Sequence, residues 1–148
     1  MDKPVERVFV DSNVLVQSAV KTAPLNAAAL NKLHLLRQDD VELWTSRQVL
    51  REYLVALTQA HAGSPPVPPG KAAGDVAFLQ MTISIAEETA DVMAQLLTLV
   101  EKLKLTGKQI HDANIVAVMQ AHGIRRLLTA TPADYAVFDA IIFPMALY

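Results

Sequence analysis

The chain contains no cysteine, which excludes disulfides and thiolate metal sites, so any bound metal must be held by oxygen or imidazole. It also lacks an apolar run approaching the roughly 18 residues that a membrane-spanning helix requires. The N-terminal MDKPVERVFVD has no apolar core of the kind a secretion signal carries. A soluble, cytoplasmic protein with no membrane partner is expected. Basic excess is missing as well: the formal net charge is −2, which argues against wholesale coating of nucleic acid but leaves room for a small basic rim around a site. No GxxxxGK[ST] run occurs, so a nucleotide-binding P-loop is excluded. No internal repeat is present.

What remains is an ordinary globular composition, 52% hydrophobic and 19% charged over 148 residues. That length fits a single domain, 1–148, able to bury roughly 70% of the surface its unfolded chain exposes. The organising stretch is Arg7 to Asn13, RVFVDSN. An apolar run that ends at once in an acid and a helix starter reads as a buried strand whose last residue is a carboxylate. Ser12 or Asn13 is expected to cap a first helix running from Asn13 to Val20.

Further along, Leu25, Ala29, Leu33 and Leu36 recur at helical spacing, and Val41 to Trp44 reads as a second strand. Ser46 is positioned to cap a third helix striped by Leu50, Tyr53, Leu54 and Leu57. His61 to Gly74 carries four prolines and three glycines and reads as a loop. A short helix over Asp75 to Met81, a short edge strand over Thr82 to Ile85, and a helix opened by Glu87 and Glu88 follow. From Asp112 to Ala121 nearly every position is apolar or small, which predicts a helix buried around most of its circumference and capped by Gly123. Ile124 to Thr129 and Ala140 to Phe143 read as the last strands, with a turn over Thr131 to Asp134. Helices alternating with short strands that lack hairpin turns predict an α/β fold, with a parallel sheet covered on both faces.

Three acids have little structural reason for their positions. Asp11 lies where parallel α/β sheets bind ligands, beyond the carboxyl end of a strand. Asp112 opens a nearly all-apolar helix, where a charge is expensive unless satisfied. Glu52 lies nearly opposite the apolar stripe of its helix, near Gln48 and Gln59, and by pattern alone a solvated face is its plainer reading. Asp134 reads as a turn acid.

VFVDSNVL, SRQVLREYLVALTQ and IHDANIVAVMQAHGIRRLLTATPADYAVF together resemble, in order and spacing, the signature stretches of the PIN-domain family, specifically its VapC-type toxin branch. The resemblance implies a three-layer α/β/α fold with a short central parallel sheet of four to five strands. It implies an acidic cluster at Asp11, Glu52 and Asp112, with Asn13 as the small polar residue that follows the first acid. It implies a Mg²⁺- or Mn²⁺-dependent endoribonuclease with one or two ions, an RNA substrate, a homodimer and inhibition by a cognate antitoxin protein. One position departs from the family pattern. Thr131 stands where an acid or amide is common, so Asp134 enters as a neighbour of the motif, with Thr129 and Thr131 as residues that orient the ligands.

Hard oxygen donors open to a phosphate are what Mg²⁺ prefers, and converging carboxylates without such an ion force one another to take up protons. Arg47, Arg51 and Lys108 are candidate phosphate contacts; His111 is a weaker candidate for catalysis. The competing readings are a phosphotransfer or receiver domain and a non-catalytic PIN-like interaction scaffold. A haloacid-dehalogenase-like site would want a second Asp where Asn13 stands.

Overall fold

The computed structural model describes residues 3–60 and 64–147. Its centre is the strand β1 (Arg7–Val10), in which Val8, Phe9 and Val10 are all fully buried. Successive strand residues point to opposite faces, so three consecutive buried side chains mean that both faces of the sheet are covered. β1 is followed by α1 (Ser12–Ala19), α2 (Asn26–Gln38), β2 (Glu42–Thr45), α3 (Arg47–Thr58), α4 (Pro69–Thr82) and β3 (Ser84–Ile85). Then come α5 (Ala90–Leu103), α6 (Gln109–Ala121), β4 (Arg126–Leu128), a 3₁₀ segment (Pro132–Phe138) and β5 (Phe143–Met145).

The five strands are all parallel, in the order β3-β2-β1-β4-β5. This is the expected α/β architecture, with helices on both sides of a short central sheet. The chain leaves β1 toward β2 on one side and later returns to place β4 on the other, with Val8 opposite Arg126 and Val10 opposite Leu128. The gap between the carboxyl ends of β1 and β4 is therefore the topological switch point, where the helices on the two faces diverge and a crevice opens.

Several local expectations need correction. The α1 cap is Asp11 itself, whose Oδ1 accepts from the Ser12 N–H at 2.8 Å; neither Ser12 nor Asn13 takes that role. Ser46 does cap α3, accepting from Val49 N–H. The supposed loop 61–74 is helical from Pro69 onward. Proline at the first helical position loses no hydrogen bond, and the glycines at 70 and 74 are tolerated in a helix that Ala72 anchors in the core. Residues 61–63 of that stretch lie outside the described residues. Glu87 and Glu88 precede α5, which starts at Ala90. The expected turn at Thr131 to Asp134 is the entry to the 3₁₀ segment, and the last strand starts three residues later than its apolar run implied, at Phe143. Gly123 adopts φ +68 just past α6, a left-handed position that favours glycine.

Candidate active site

Asp11 follows the last residue of β1 and is 5% exposed. Besides the Ser12 N–H, its carboxylate receives the Thr129 hydroxyl at 2.9 Å and the Tyr135 hydroxyl at 3.2 Å, both on Oδ2. Thr129 sits just beyond β4 and is fully buried, and Tyr135 projects from the 3₁₀ segment and is 1% exposed. Burial raises the Asp11 pKa above the ordinary carboxylate value, the charge of Glu52 adds to the rise, and these donors offset part of it.

Glu52 comes from α3. Its Oε2 accepts from the Ser12 hydroxyl at 3.0 Å and its Oε1 from Gln48 Nε2 at 3.0 Å. Ser12 thus joins Asp11 and Glu52, through its backbone N–H to one and its hydroxyl to the other. The half-buried setting of Glu52 departs from the solvated face its helical phase suggested. The cause is α1, which packs against α3 and presents Ser12 to it.

Asp112 lies in the first turn of α6. Its pKa is pushed up to about 6, first by burial and then by the charges of Asp11, Asp134 and Glu52, while Tyr135 pulls it down. The phenol of Tyr135 stands between Asp11 and Asp112. Burial and the charges of both acids drive its own pKa far above the phenolic range, so it stays protonated and donates. Asp134 is exposed and shares with Asp112 and Lys108 the wall of an open cavity of about 860 Å³.

The three orienting residues form one network across the crevice. Asn13 Nδ2 donates to Thr129 Oγ1 at 3.3 Å and to Thr131 Oγ1 at 3.1 Å, and its Oδ1 accepts from the Ala130 N–H at 3.0 Å. Thr131 therefore acts as an acceptor that fixes the loop after β4.

Two residues escaped the sequence reading, Tyr135 and Gln48. Gln48 is 7% exposed. It donates to Glu52 and to the His111 carbonyl, both at 3.0 Å, and accepts from Asn114 Nδ2 at 2.6 Å. Asn114 also donates to Glu88. Gln48 thus fastens α3 to α6 about one helical turn before Glu52, and that i, i+4 spacing was the available signal. Nothing in the pattern marks Tyr135, whose aromatic ring alone would place it in the core.

Of the candidate cations, Arg47 makes a two-pronged ion pair with Glu87 on an exposed surface. Arg51 lines a second cavity with Glu52, and Lys108 lines the first with Asp112. Among the described residues no Lys or Arg forms an ion pair with Asp11, Glu52 or Asp112.

These acids are stabilised by neutral donors and repel one another, a donor set of hard oxygens that suits Mg²⁺ or Mn²⁺. Among the described residues no group of three or more His, Asp or Glu side chains is close enough to hold one ion. The fit is therefore to an ion held by one or two carboxylates that keeps several waters, the mode Mg²⁺ favours.

Acids gathered beyond the carboxyl ends of the strands at the switch point of a parallel α/β sheet lie where this class of fold binds its ligands. The PIN domain family model matches residues 8–131, and the chain belongs to the PIN-domain family. Among solved structures its fold resembles VapBC2 from Rickettsia felis, bound to a fragment of promoter DNA, at 16% identity, TM-score 0.68, covering 95% of this chain and 98% of that one. It resembles a toxin–antitoxin complex from Klebsiella pneumoniae at 18% identity, TM-score 0.67, with 95% and 98% covered. It also resembles VapC20 of Mycobacterium tuberculosis, described as a sarcin-ricin loop cleaving toxin, at 19% identity, TM-score 0.64, with 90% and 94% covered. No curated protein matches significantly by sequence.

Proposed function

We propose that the chain is a Mg²⁺- or Mn²⁺-dependent endoribonuclease and the toxin of a toxin–antitoxin pair. The observation that carries this reading is the crevice in which Asp11 and Asp112 flank the Tyr135 hydroxyl without a basic partner, both raised in pKa first by burial, with the charge of Asp11 adding to the rise at Asp112. Family membership and the likeness to VapC-type structures support it. Asp11 and Asp112 would hold the ion directly, and Glu52 would complete its surroundings through water. Bound there, the ion supplies an activated water and neutralises charge on the cleaved phosphodiester.

The protein's own residues orient and exclude. Thr129 and Ser12 fix the Asp11 carboxylate, Asn13 and Thr131 lock the adjoining loop, Ser12 ties Glu52 to α1, and Gln48 orients Glu52 from a side chain itself tied to α6. Asp134 faces the open cavity beside Asp112, placed to position a water or assist a second ion. Lys108, which shares the wall of the larger cavity with Asp112, would meet substrate phosphate there. A cognate antitoxin and a homodimer in the cytoplasm complete the proposal, in keeping with the toxin–antitoxin complexes among the fold's neighbours.

The test is cleavage of RNA by the purified protein with Mg²⁺, with Mn²⁺ and with a chelator, alongside Asp11→Asn and Asp112→Asn. Cleavage that needs the ion and vanishes in both variants supports the enzyme. A folded protein inactive on diverse RNAs under all three conditions favours the non-catalytic scaffold, the reading that Thr131 keeps open.

A further inference from the structure

Two cavities flank the acids, and His111 lines both. Their chemistry differs. The larger, walled by Asp112, Asp134 and Lys108, is charged. The smaller, about 380 Å³, has an aliphatic floor at Val55 with Gln48, Gln59, Arg51, Glu52 and His111 around it. Val55 is 54% exposed, an aliphatic side chain open to solvent within reach of a carboxylate.

A phosphate gains nothing from such a floor. A flat aromatic ring with polar edges gains from apolar area, from the Gln59 amide for edge hydrogen bonds, and from an imidazole and a guanidinium for stacking. The volume lies in the range of about 300–1,000 Å³ usual for small-molecule sites. We propose that this cavity is a nucleobase pocket, taking an unstacked base of single-stranded RNA next to the cleaved phosphate, with Gln59 and Val55 setting base preference. The inference rests on the endoribonuclease reading for its substrate class. It assigns sequence discrimination to the α3 side of the acids and sequence-blind backbone contact to the Lys108 side.

Binding of short fluorescent homopolymeric oligoribonucleotides (A, C, G and U), followed by anisotropy, tests it without requiring cleavage. Asp11→Asn serves as the background so that no substrate is consumed. The expected result is an affinity spread of about tenfold among the four bases. Val55→Trp, which fills the cavity, should collapse the spread, and Gln59→Leu should reorder it. Lys108→Ala should weaken all four alike and reduce the salt dependence. Equal affinities for the four bases, or a spread that Val55→Trp and Gln59→Leu both leave unchanged in proteins with native melting curves, overturns the pocket. Cleavage by the unmodified chain is scored separately. A base preference without cleavage keeps the pocket and removes the nuclease, whereas cleavage without base preference does the reverse.

Discussion

The two ends of the β1–β4 pair treat charge in opposite ways. At the amino end, Glu6 accepts from Arg126 at 2.7 Å, and Arg7 donates to the His122 and Gly123 carbonyls that terminate α6. Each charge there has an opposite charge or a helix C-terminus as partner, and the Glu6–Arg126 pair is largely exposed. At the carboxyl end, Asp11 has hydroxyls and one backbone N–H for partners, and its charged neighbours are acids. The same two strands thus carry a neutralised rim and an uncompensated crevice. An exposed pair contributes little to stability, while unneutralised buried acids cost stability and attract cations. Departures from local optimality of this kind concentrate where function is located.

The sharpest way to break the comparison is Asp112→Asn. Removing a carboxylate that its neighbours destabilise should cost activity by a factor of about 10³, while leaving the metal-free protein as stable at pH 7 or more stable. RNA cleavage and thermal melting of one preparation check both halves. A large loss of melting temperature would mean that Asp112 is a structural acid.

The dependence on pH comes next. The folded-state pKa of Asp112 is about 6 against 3.8 for the ordinary side chain, so between those values the native state binds more protons than the unfolded state. Stability therefore rises as pH falls from about 6 toward about 4, opposite to the behaviour of an ion-paired carboxylate, and Asp11 acts in the same direction. The metal-free protein should melt higher at pH 5 than at pH 7, by a few degrees at most because solvent screens a half-buried group. Asp112→Asn should flatten that slope. Millimolar Mg²⁺ at pH 7 should raise the melting temperature of the unmodified chain and not of the variant.

Tyr135→Phe tests the neutral donor between the acids. Losing a buried hydroxyl that donates to Asp11 should cost about 1–2 kcal/mol and raise the pKa of Asp112 further. The acid limb of the cleavage pH profile should then move to higher pH. A profile that keeps its position would assign the hydroxyl a packing role only.

These residues show what the chain discloses before it folds. β1 and its terminal acid were legible because an apolar run followed by Asp and Ser has few other uses, and α6 because its composition allows only burial. Glu52 was legible only through family likeness. Its helical phase pointed to solvent, and the Ser12 hydroxyl that half-buries it lies 40 residues away in sequence. Tyr135 was silent for the same reason, since its bond to Asp11 spans 124 residues. Helix α4 was hidden by prolines that read as breakers yet occupy the first turn and the approach to it, where they are harmless.

Gln48→Leu probes a smaller effect. The side chain nearly keeps its volume, but Glu52 loses a donor, the His111 carbonyl loses the Gln48 donor, and Asn114 keeps only Glu88 of its two acceptors. Cleavage should fall about tenfold, the scale for a residue that orients a metal ligand, with the apparent Mg²⁺ requirement raised. Gln48→Glu can still accept from Asn114 but places a like charge beside Glu52, so it should be worse than leucine in activity and should improve as pH is lowered. A purely structural glutamine would lose stability in both variants without that ordering.

The smallest effect belongs to the rim. Glu6→Gln removes the exposed partner of Arg126, whose side chain is 40% exposed beside a 65% exposed glutamate. Solvent and salt already screen that pair, so unfolding free energy should change by less than about 0.5 kcal/mol, and cleavage and Mg²⁺ dependence should not move. The contrast with Asp112→Asn is the informative quantity. Both variants neutralise one acid beside the same pair of strands, so equal consequences would show that position along the strands is irrelevant. Divergence by orders of magnitude in activity, with opposite or negligible changes in stability, would assign the difference to whether an acid is answered by a cation already in the fold or left open to one from solution.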